Sequence, residues 1–341
     1  MGYDVTIGIP VYKSADYIRR SLESALAQSY SSIEFLIVDD VGSDGSMDIV
    51  ETFRRTHFRG IDIHIINHKN NMGVSASRNE IIDRAQGNYL YFMDSDDIIS
   101  ENAIELLMQS ICHYNAEIAF GSYEKIETNG TKNVYQYPAL KLLKQDELAS
   151  FAYRKYAGIQ ASACNYLVKT SILRDNHHYF IDANYWEDFV YTFDLVTLVS
   201  RAVLLSDITY SYICRENSLS NYQQRETISK AEIIQNVKSI NHLKRTSVLL
   251  CNKNYFPNRC FNIAMTDFYI VCNILKNRDR IVPFVSNREV KSIMKHPVSF
   301  IQICRFRHSF IKNMMLYILG ILPAFLSFFL VRFIGKVKKL I

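Results

Sequence analysis

Through its first 120 positions the chain alternates short runs of β-branched and aromatic residues with amphipathic helical patterns, which constrains its fold more than any other feature. Val5–Ile9, Phe35–Val38, Ile61–Ile66, Tyr89–Met93 and Ile118–Phe120 read as strands. Their centres recur roughly every 27–30 residues, the length of one strand–helix unit. Between them, Ile18, Leu22, Ala25 and Leu26 share one helix face, with Ser14 or Asp16 available as N-cap. Ile49, Val50 and Phe53 mark a second helix, Ile81, Ile82 and Ala85 a third, and Ile104, Leu107, Met108 and Ile111 a fourth. The pattern predicts a mostly parallel α/β sheet of Rossmann-like type. In such sheets ligands bind off the carboxyl ends of the strands, so chemistry is expected in the loops after Ile9, Val38 and Met93.

With 341 residues, 48% of them hydrophobic, the chain can bury a large core. Its seven cysteines form no Cys-x-x-Cys pair, which points to free thiols in a reducing compartment. The net charge of +5 is uneven. After Glu289 there are nine basic residues and no acidic one, leaving 30 basic against 34 acidic residues before that point. The basic tail brackets Met314–Val331, 18 uncharged residues interrupted by Gly320 and Pro323. As one helix these would reach about 27 Å, short of a hydrocarbon core of about 30 Å, and both flanks are positive. An in-plane or re-entrant helix pair hinged at Pro323 satisfies both facts, with the lysines on anionic head groups. The alternative is a closing helix packed on the core. A nucleic-acid surface is not expected, because the positive charges are not interleaved with aromatics on a folded face.

The strongest local signal is Tyr89-Leu90-Tyr91-Phe92-Met93-Asp94-Ser95-Asp96-Asp97, an apolar strand ending in three carboxylates. In extended backbone Asp94 and Asp96 point the same way. Carboxylates held this close repel unless a cation offsets them, and their oxygens suit Mg²⁺ or Mn²⁺. The same residues also fit a solvated turn, with Asp96 or Asp97 capping a helix that starts near Glu101.

Ile9-Pro10-Val11-Tyr12, Asp39-Asp40, Asn71-Met72-Gly73-Val74-Ser75-Ala76-Ser77-Arg78-Asn79, Gly87-Asn88-Tyr89 and Asp94-Ser95-Asp96-Asp97 occur in an order and spacing that resembles family 2 glycosyltransferases. The resemblance implies an inverting enzyme of GT-A fold whose DxD-like motif holds a divalent metal on the donor diphosphate. It implies that Pro10, Val11 and Tyr12 line the donor base and that Asp40 binds uridine or ribose. Asp96 would ligate Mn²⁺ or Mg²⁺, and Asp94, next to Ser95, would meet the ribose or help hold the metal. Arg78 has two readings: a fixed cation near the diphosphate, or an ion pair with Asp94 or Asp97. Asn79 reads as a hydrogen-bonded helix residue. One departure stands out: Val41 occupies a position that the family usually fills with glycine.

An inverting transfer needs one base for the acceptor hydroxyl, and the family uses an Asp, commonly within a Glu-Asp pair. Tyr185-Trp186-Glu187-Asp188-Phe189 fits, with Asp188 as the base, Glu187 as an acceptor-binding partner and Trp186 placed to stack on an acceptor sugar. Their structural alternatives are a helix N-cap for Asp188 and core packing for Trp186. Desolvation by Trp186 and Phe189 would raise the basicity of Asp188. Ala163–Val168 resembles the acceptor-facing strand of the family. Arg215-Glu216-Asn217-Ser218-Leu219-Ser220 resembles a loop that closes near the donor phosphates, with Arg215 either a phosphate contact or a surface ion pair. His177-His178 reads as structural.

The expectation is therefore a GT-A α/β fold with a C-terminal helical extension and a membrane-associating tail. Residues 1–120 would form the nucleotide-sugar half, 121–225 the acceptor half, 226–312 a helical extension and 313–341 the tail. The activity expected is transfer of a sugar from a nucleotide-diphosphate donor, a UDP-sugar by the resemblance, to a glycan or lipid-linked acceptor in surface polysaccharide synthesis. The protein would sit at the cytoplasmic face of the membrane, peripheral or monotopic. The competing reading is a non-catalytic nucleotide-sugar-binding subunit of a membrane assembly complex.

Overall fold

The computed structural model describes residues 2–154, 158–183, 185–215 and 226–339. The chain divides into two compact units, residues 1–148 with 161–218 and residues 149–160 with 219–341. The first unit begins β1 (Val5–Val11), α1 (Ile18–Leu26), β2 (Ile33–Asp39), α2 (Ser46–Thr56), β3 (Ile63–Asn67), α3 (Val74–Arg84) and β4 (Tyr89–Phe92). It continues through β5 (Ile98–Ile99), α4 (Ala103–Tyr114), β6 (Ile118–Ile126), β7 (Lys132–Tyr135) and β8 (Leu140–Leu142), to the start of α5 (Glu147–Arg154). It then resumes with β9 (Tyr166–Lys169), α6 (Thr170–Asp175), α7 (Glu187–Leu195) and β10 (Ala202–Ile213).

These strands form one sheet in the order β3-β2-β1-β4-β9-β6-β10-β5, with β7 on β6 and β8 on β10. The β3-β2-β1-β4 part is wholly parallel, as expected of strands joined by helices. β9 runs antiparallel to both β4 and β6, so the sheet as a whole is mixed. Val5, Ile7, Ile9 and Val11 are all buried, as are Thr6 and Gly8 on the other face of the strand, with Pro10 partly so. A strand covered on both faces gives such a continuous buried run. Helix α3 lies directly on β1: a Cβ at Gly8 would come within 2.4 Å of the Ile81 side chain.

Two local expectations are corrected. Ile61 belongs to a 3₁₀ turn ahead of β3 and is 85% exposed. Neither Ser14 nor Asp16 caps α1, whose N-cap is Tyr17 with no side-chain cap bond. The Ser14 hydroxyl instead meets Ser95 at 2.6 Å, while its carbonyl accepts from the amides of Tyr17 and Ile18.

The second unit holds the rest of α5, then β11 (Ile228–Ser229), α8 (Lys230–Ser247), α9 (Phe256–Lys276), β12 (Ile281–Val282), α10 (Asn287–Ile293), α11 (Phe300–Cys304), α12 (Phe310–Ile321) and α13 (Ala324–Val337). α9 is buried along its length and packs against α8, α10, α12 and α13. Its Arg259 is fully buried and donates to the hydroxyls of Ser247 at 2.8 Å, Tyr153 at 2.6 Å and Thr246 at 3.1 Å. Buried polar bonds of this kind satisfy a charge that could not otherwise leave water. Among the described residues, no helix is long and apolar enough to cross a membrane.

Candidate active site

Adjacency of β2, β1 and β4 brings three loops to one edge of the sheet. Val11 pairs with Asp39 across β1–β2, and the Met93 amide donates to the Gly8 carbonyl at 3.1 Å. The segments starting at Tyr12, Asp40 and Asp94 therefore leave the sheet side by side, where ligands bind in sheets of this class. Tyr12 is 46% exposed at this edge, with the Lys13 ammonium 5.3 Å from its ring centre.

Asp40 is buried, and its carboxylate is already engaged. It accepts from the amides of Met72 at 2.7 Å and Gly73 at 2.8 Å, and the His68 ring nitrogen lies at 2.8 Å. The Asn71 side chain donates to its carbonyl at 3.1 Å. Asp40 thus ties the 68–73 turn, and the start of α3 behind it, to the end of β2. Asp39 is only partly buried and accepts from the Val41 amide at 2.9 Å. Val41 takes φ +60°, a left-handed conformation that the family's usual glycine would adopt without strain. The next residue must be glycine for another reason: a Cβ at Gly42 would lie 2.5 Å from the Lys13 amide nitrogen. Val41→Gly is expected to stabilise the protein by about 1 kcal/mol, because a β-branched residue at positive φ costs about 1–2 kcal/mol. A thermal melt of the variant checks this.

The carboxylate turn after β4 is built into the molecule rather than left in solvent. The Ser95 carbonyl accepts from Ser21 of α1 at 3.0 Å. Asp97 accepts from the Tyr210 hydroxyl at 2.7 Å and the Ile213 amide at 2.8 Å, and α4 starts only at Ala103 with Asn102 before it. Neither Asp96 nor Asp97 is therefore the cap of that helix. Arg215 pairs with Asp96, while Arg20 donates to the Asp96 carbonyl at 3.1 Å. Both guanidinium groups lie against the Tyr17 ring, at 4.9 and 5.4 Å from its centre. Burial, with Asp94 adding to it, pushes Asp96 up to about 6 even though Arg215 pulls the other way. Burial and the charges of Asp94 and Asp96 raise Asp97 as well.

Arg78 is the hub of the site. It is buried, lies 5.3 Å over the Phe180 ring, and meets Asp94 at 2.9 Å, Glu187 at 3.2 Å and Asp188. Of the ion-pair partners considered, Asp94 is found and Asp97 is not. α3 is aligned for this by Asn79, which exchanges two hydrogen bonds with the Phe180 backbone at 2.8 and 2.9 Å. The Ser75 hydroxyl reaches the Ala183 carbonyl at 2.8 Å, and Phe180 stacks on Tyr191 of α7 at 3.8 Å. Asp188 occupies the second position of α7, and its N-cap position belongs to Trp186 at φ +63°. Trp186 is half-buried, with its ring edge-on to Phe189 at 5.8 Å. Burial pushes Asp188 up to about 8, with Arg78 opposing and Glu187 and Asp94 reinforcing the rise.

With all three ionised, one guanidinium facing three carboxylates leaves an excess of two negative charges, and Asp96 adds a fourth acid beside its own arginine. The charge and oxygen donors at Asp94 and Asp96 fit a divalent cation that takes its remaining ligands from phosphate and water. Among the described residues, no group of three His, Cys, Asp or Glu forms a metal cage by itself. The sequence reading brought out Arg78, Asp94, Asp96, Asp188 and Arg215, and the structure brings them into two adjoining ion-pair groups. It did not bring out Tyr17, His68 or Tyr210, whose roles depend on contacts far along the chain. Glu216–Ser220 lie outside the described residues. His178 packs on Tyr191 with ring centres 4.3 Å apart.

Residues 6–175 match the model of Glycosyl transferase family 2. The glycosyltransferase GlyA of Streptococcus pneumoniae serotype 4 is 30% identical over 230 residues, which cover 63% of this chain and 31% of GlyA. The Escherichia coli enzyme WfgD is named UDP-Glc:alpha-D-GlcNAc-diphosphoundecaprenol beta-1,3-glucosyltransferase. It is 29% identical over 136 residues, covering 40% of this chain and 52% of WfgD. The chain thus spans about a third of GlyA and about half of WfgD in these matches. The crystal structure of S. aureus TarS 1–349 with UDP-GlcNAc superposes with a TM-score of 0.65 at 17% identity, covering 93% of this chain and 90% of that one. That likeness shows the fold.

Proposed function

The chain belongs to glycosyl transferase family 2, and from that premise we propose that it is an inverting glycosyltransferase acting on a UDP-sugar in surface polysaccharide synthesis. The observation that carries this reading is the convergence of Asp94, from the end of β4, and Asp188, from the start of α7, on the one buried Arg78. A donor group and an acceptor base held by the same cation occupy fixed positions relative to one another, which an in-line displacement requires.

In this mechanism Pro10, Val11 and Tyr12 line the base, and the partly exposed Asp39 adds a second carboxylate beside Asp40. Asp40 acts by fixing the turn at 68–73. Asp96 and Asp94, with Ser95 between them, would hold Mn²⁺ or Mg²⁺; such an ion offsets the charge of the leaving diphosphate. Arg215 would reach the diphosphate from Asp96. The Asp188 carboxylate accepts the proton of the acceptor hydroxyl as that oxygen attacks the anomeric carbon, and Glu187 and Trp186 bind the acceptor sugar. Residues 1–120 form the donor half and 121–225 the acceptor half in this reading. The relative WfgD is named for a lipid-linked diphosphate acceptor, which supports an acceptor of that class and work at the cytoplasmic face of the membrane.

Thermal stability against a panel of nucleoside diphosphates, with and without Mn²⁺, tests the proposal. A ligand at 100 times its dissociation constant adds about 2.7 kcal/mol if it binds only the folded state. Metal-dependent stabilisation by UDP is expected. Stabilisation by GDP or dTDP would change the donor, and no response to any of them would overturn the donor site.

A further inference from the structure

The second unit ends in a helical hairpin with two unlike faces. On the inner face Asn313 donates to the Pro257 carbonyl at 3.0 Å and meets His296 at 3.1 Å. Lys291 donates to the Leu319 carbonyl at 3.2 Å and the Ser327 hydroxyl at 2.7 Å. All of these residues except the lysine are buried, so the hairpin is locked onto α9 in one orientation. Its outer face therefore has no packing partner among the described residues of the unit.

That outer face is apolar in helical register. Ile311, Met315 and Ile318 of α12 are exposed at intervals of four and three residues. Phe325, Phe329 and Phe333 of α13 follow at intervals of four, each between 59% and 71% exposed. Exposed aromatic residues grouped in this way mark a contact surface. The chain around it is basic: Arg305, Arg307, Lys312, Arg332, Lys336, Lys338 and Lys339 are all exposed, and the sequence after Glu289 contains no acidic residue.

We propose that the outer face of α12 and α13 is seated in the head-group region of a bilayer containing anionic lipid, with both helices lying in the plane of the surface. This rests on the membrane setting of the proposed function and specifies the face, its lipid and its depth. The helices, of 12 and 14 residues, are about 18 and 21 Å long and fall well short of a bilayer core of about 30 Å. The phenylalanine row reaches into the acyl boundary while the surrounding arginines and lysines meet the phosphates. Charge distinguishes this occupant from a second copy of the chain, because a symmetric pairing of this face would set like charges against one another.

Flotation of the full chain with phosphatidylcholine vesicles, with and without phosphatidylglycerol, tests the proposal. Binding to the mixed vesicles is expected to be at least about tenfold tighter and to weaken with salt. The triple variant Phe325→Ser/Phe329→Ser/Phe333→Ser is expected to lose roughly tenfold or more of that binding. A Phe329→Trp variant keeps the apolar face and adds an indole to that of Trp186. The fluorescence it gains over the wild type should be quenched by lipids brominated in the acyl chains. Failure of the wild type to float, equal binding by the triple variant, or no quenching of the added indole overturns the proposal. A concentration-dependent dimer abolished by the triple variant would assign the face to self-association instead. Nucleotide-induced stabilisation measured on the same samples is independent of the vesicles, so loss of membrane binding leaves the glycosyltransferase reading intact.

Discussion

Asp188→Asn is expected to lower the rate of sugar transfer by roughly 10²–10⁴-fold while leaving nucleotide affinity unchanged. The magnitude is that of removing one positioned general base, and the variant keeps the shape of the side chain. Asparagine still accepts from Arg78, so the site stays assembled and the loss falls on kcat. Because burial pushes the Asp188 carboxyl up to about 8, only its ionised fraction can take a proton, and kcat/KM should rise with pH through that region. The same shift sets a stability trend. The folded state binds this proton more tightly than the unfolded one, where the ordinary value is 3.8. The stabilisation is therefore complete below about 4 and is lost as pH rises through about 8. Asp188→Asn should flatten that decline. A variant with unchanged turnover and an unchanged pH profile would remove Asp188 from the mechanism.

Arg78→Leu should have the largest effect on stability. The substitution leaves Asp94, Glu187 and Asp188 facing one another around a buried position with no cation between them. Removing one partner of a buried ion pair costs about 3–5 kcal/mol. At about 2–4 °C per kcal/mol for a domain of this size, the melting temperature falls by roughly 10 °C. Neutralising one carboxylate should recover part of the loss, so Arg78→Leu/Asp188→Asn is expected to melt above Arg78→Leu alone. If the single variant melts like the wild type, Arg78 is not the centre of the site.

The parallel half of the fold was legible because each of its segments carries its own signal. A strand buried on both faces must be apolar nearly throughout, and a helix lying on it must repeat its apolar residues at three and four, as Ile18, Leu22 and Ala25 do. Asn79 was legible as a helix residue spent on a hydrogen bond. The N-cap of α1 was not, because the Ser14 hydroxyl pairs with that of Ser95, a contact that depends on the placement of a turn 81 residues away. The excursion of the sheet into antiparallel pairing at β9 was hidden for the same reason, since pairing direction is a property of chain path and not of composition.

The sequence by itself determined that Asp94 and Asp96 follow a buried strand and that Arg78, on the helix pattern just before that strand, stands near them in the chain. It also determined that a basic, apolar tail follows Glu289. Tertiary structure alone decided which charges meet. Arg78 was open to two readings until α3, β4 and α7 were brought together and it was found between Asp94 and Asp188. Asp40, whose carboxylate the sequence offered to a ligand, accepts from the amides of Met72 and Gly73. The physical reason is common to both: a carboxylate or guanidinium removed from water must find partners, and which ones it finds is fixed by packing at long range.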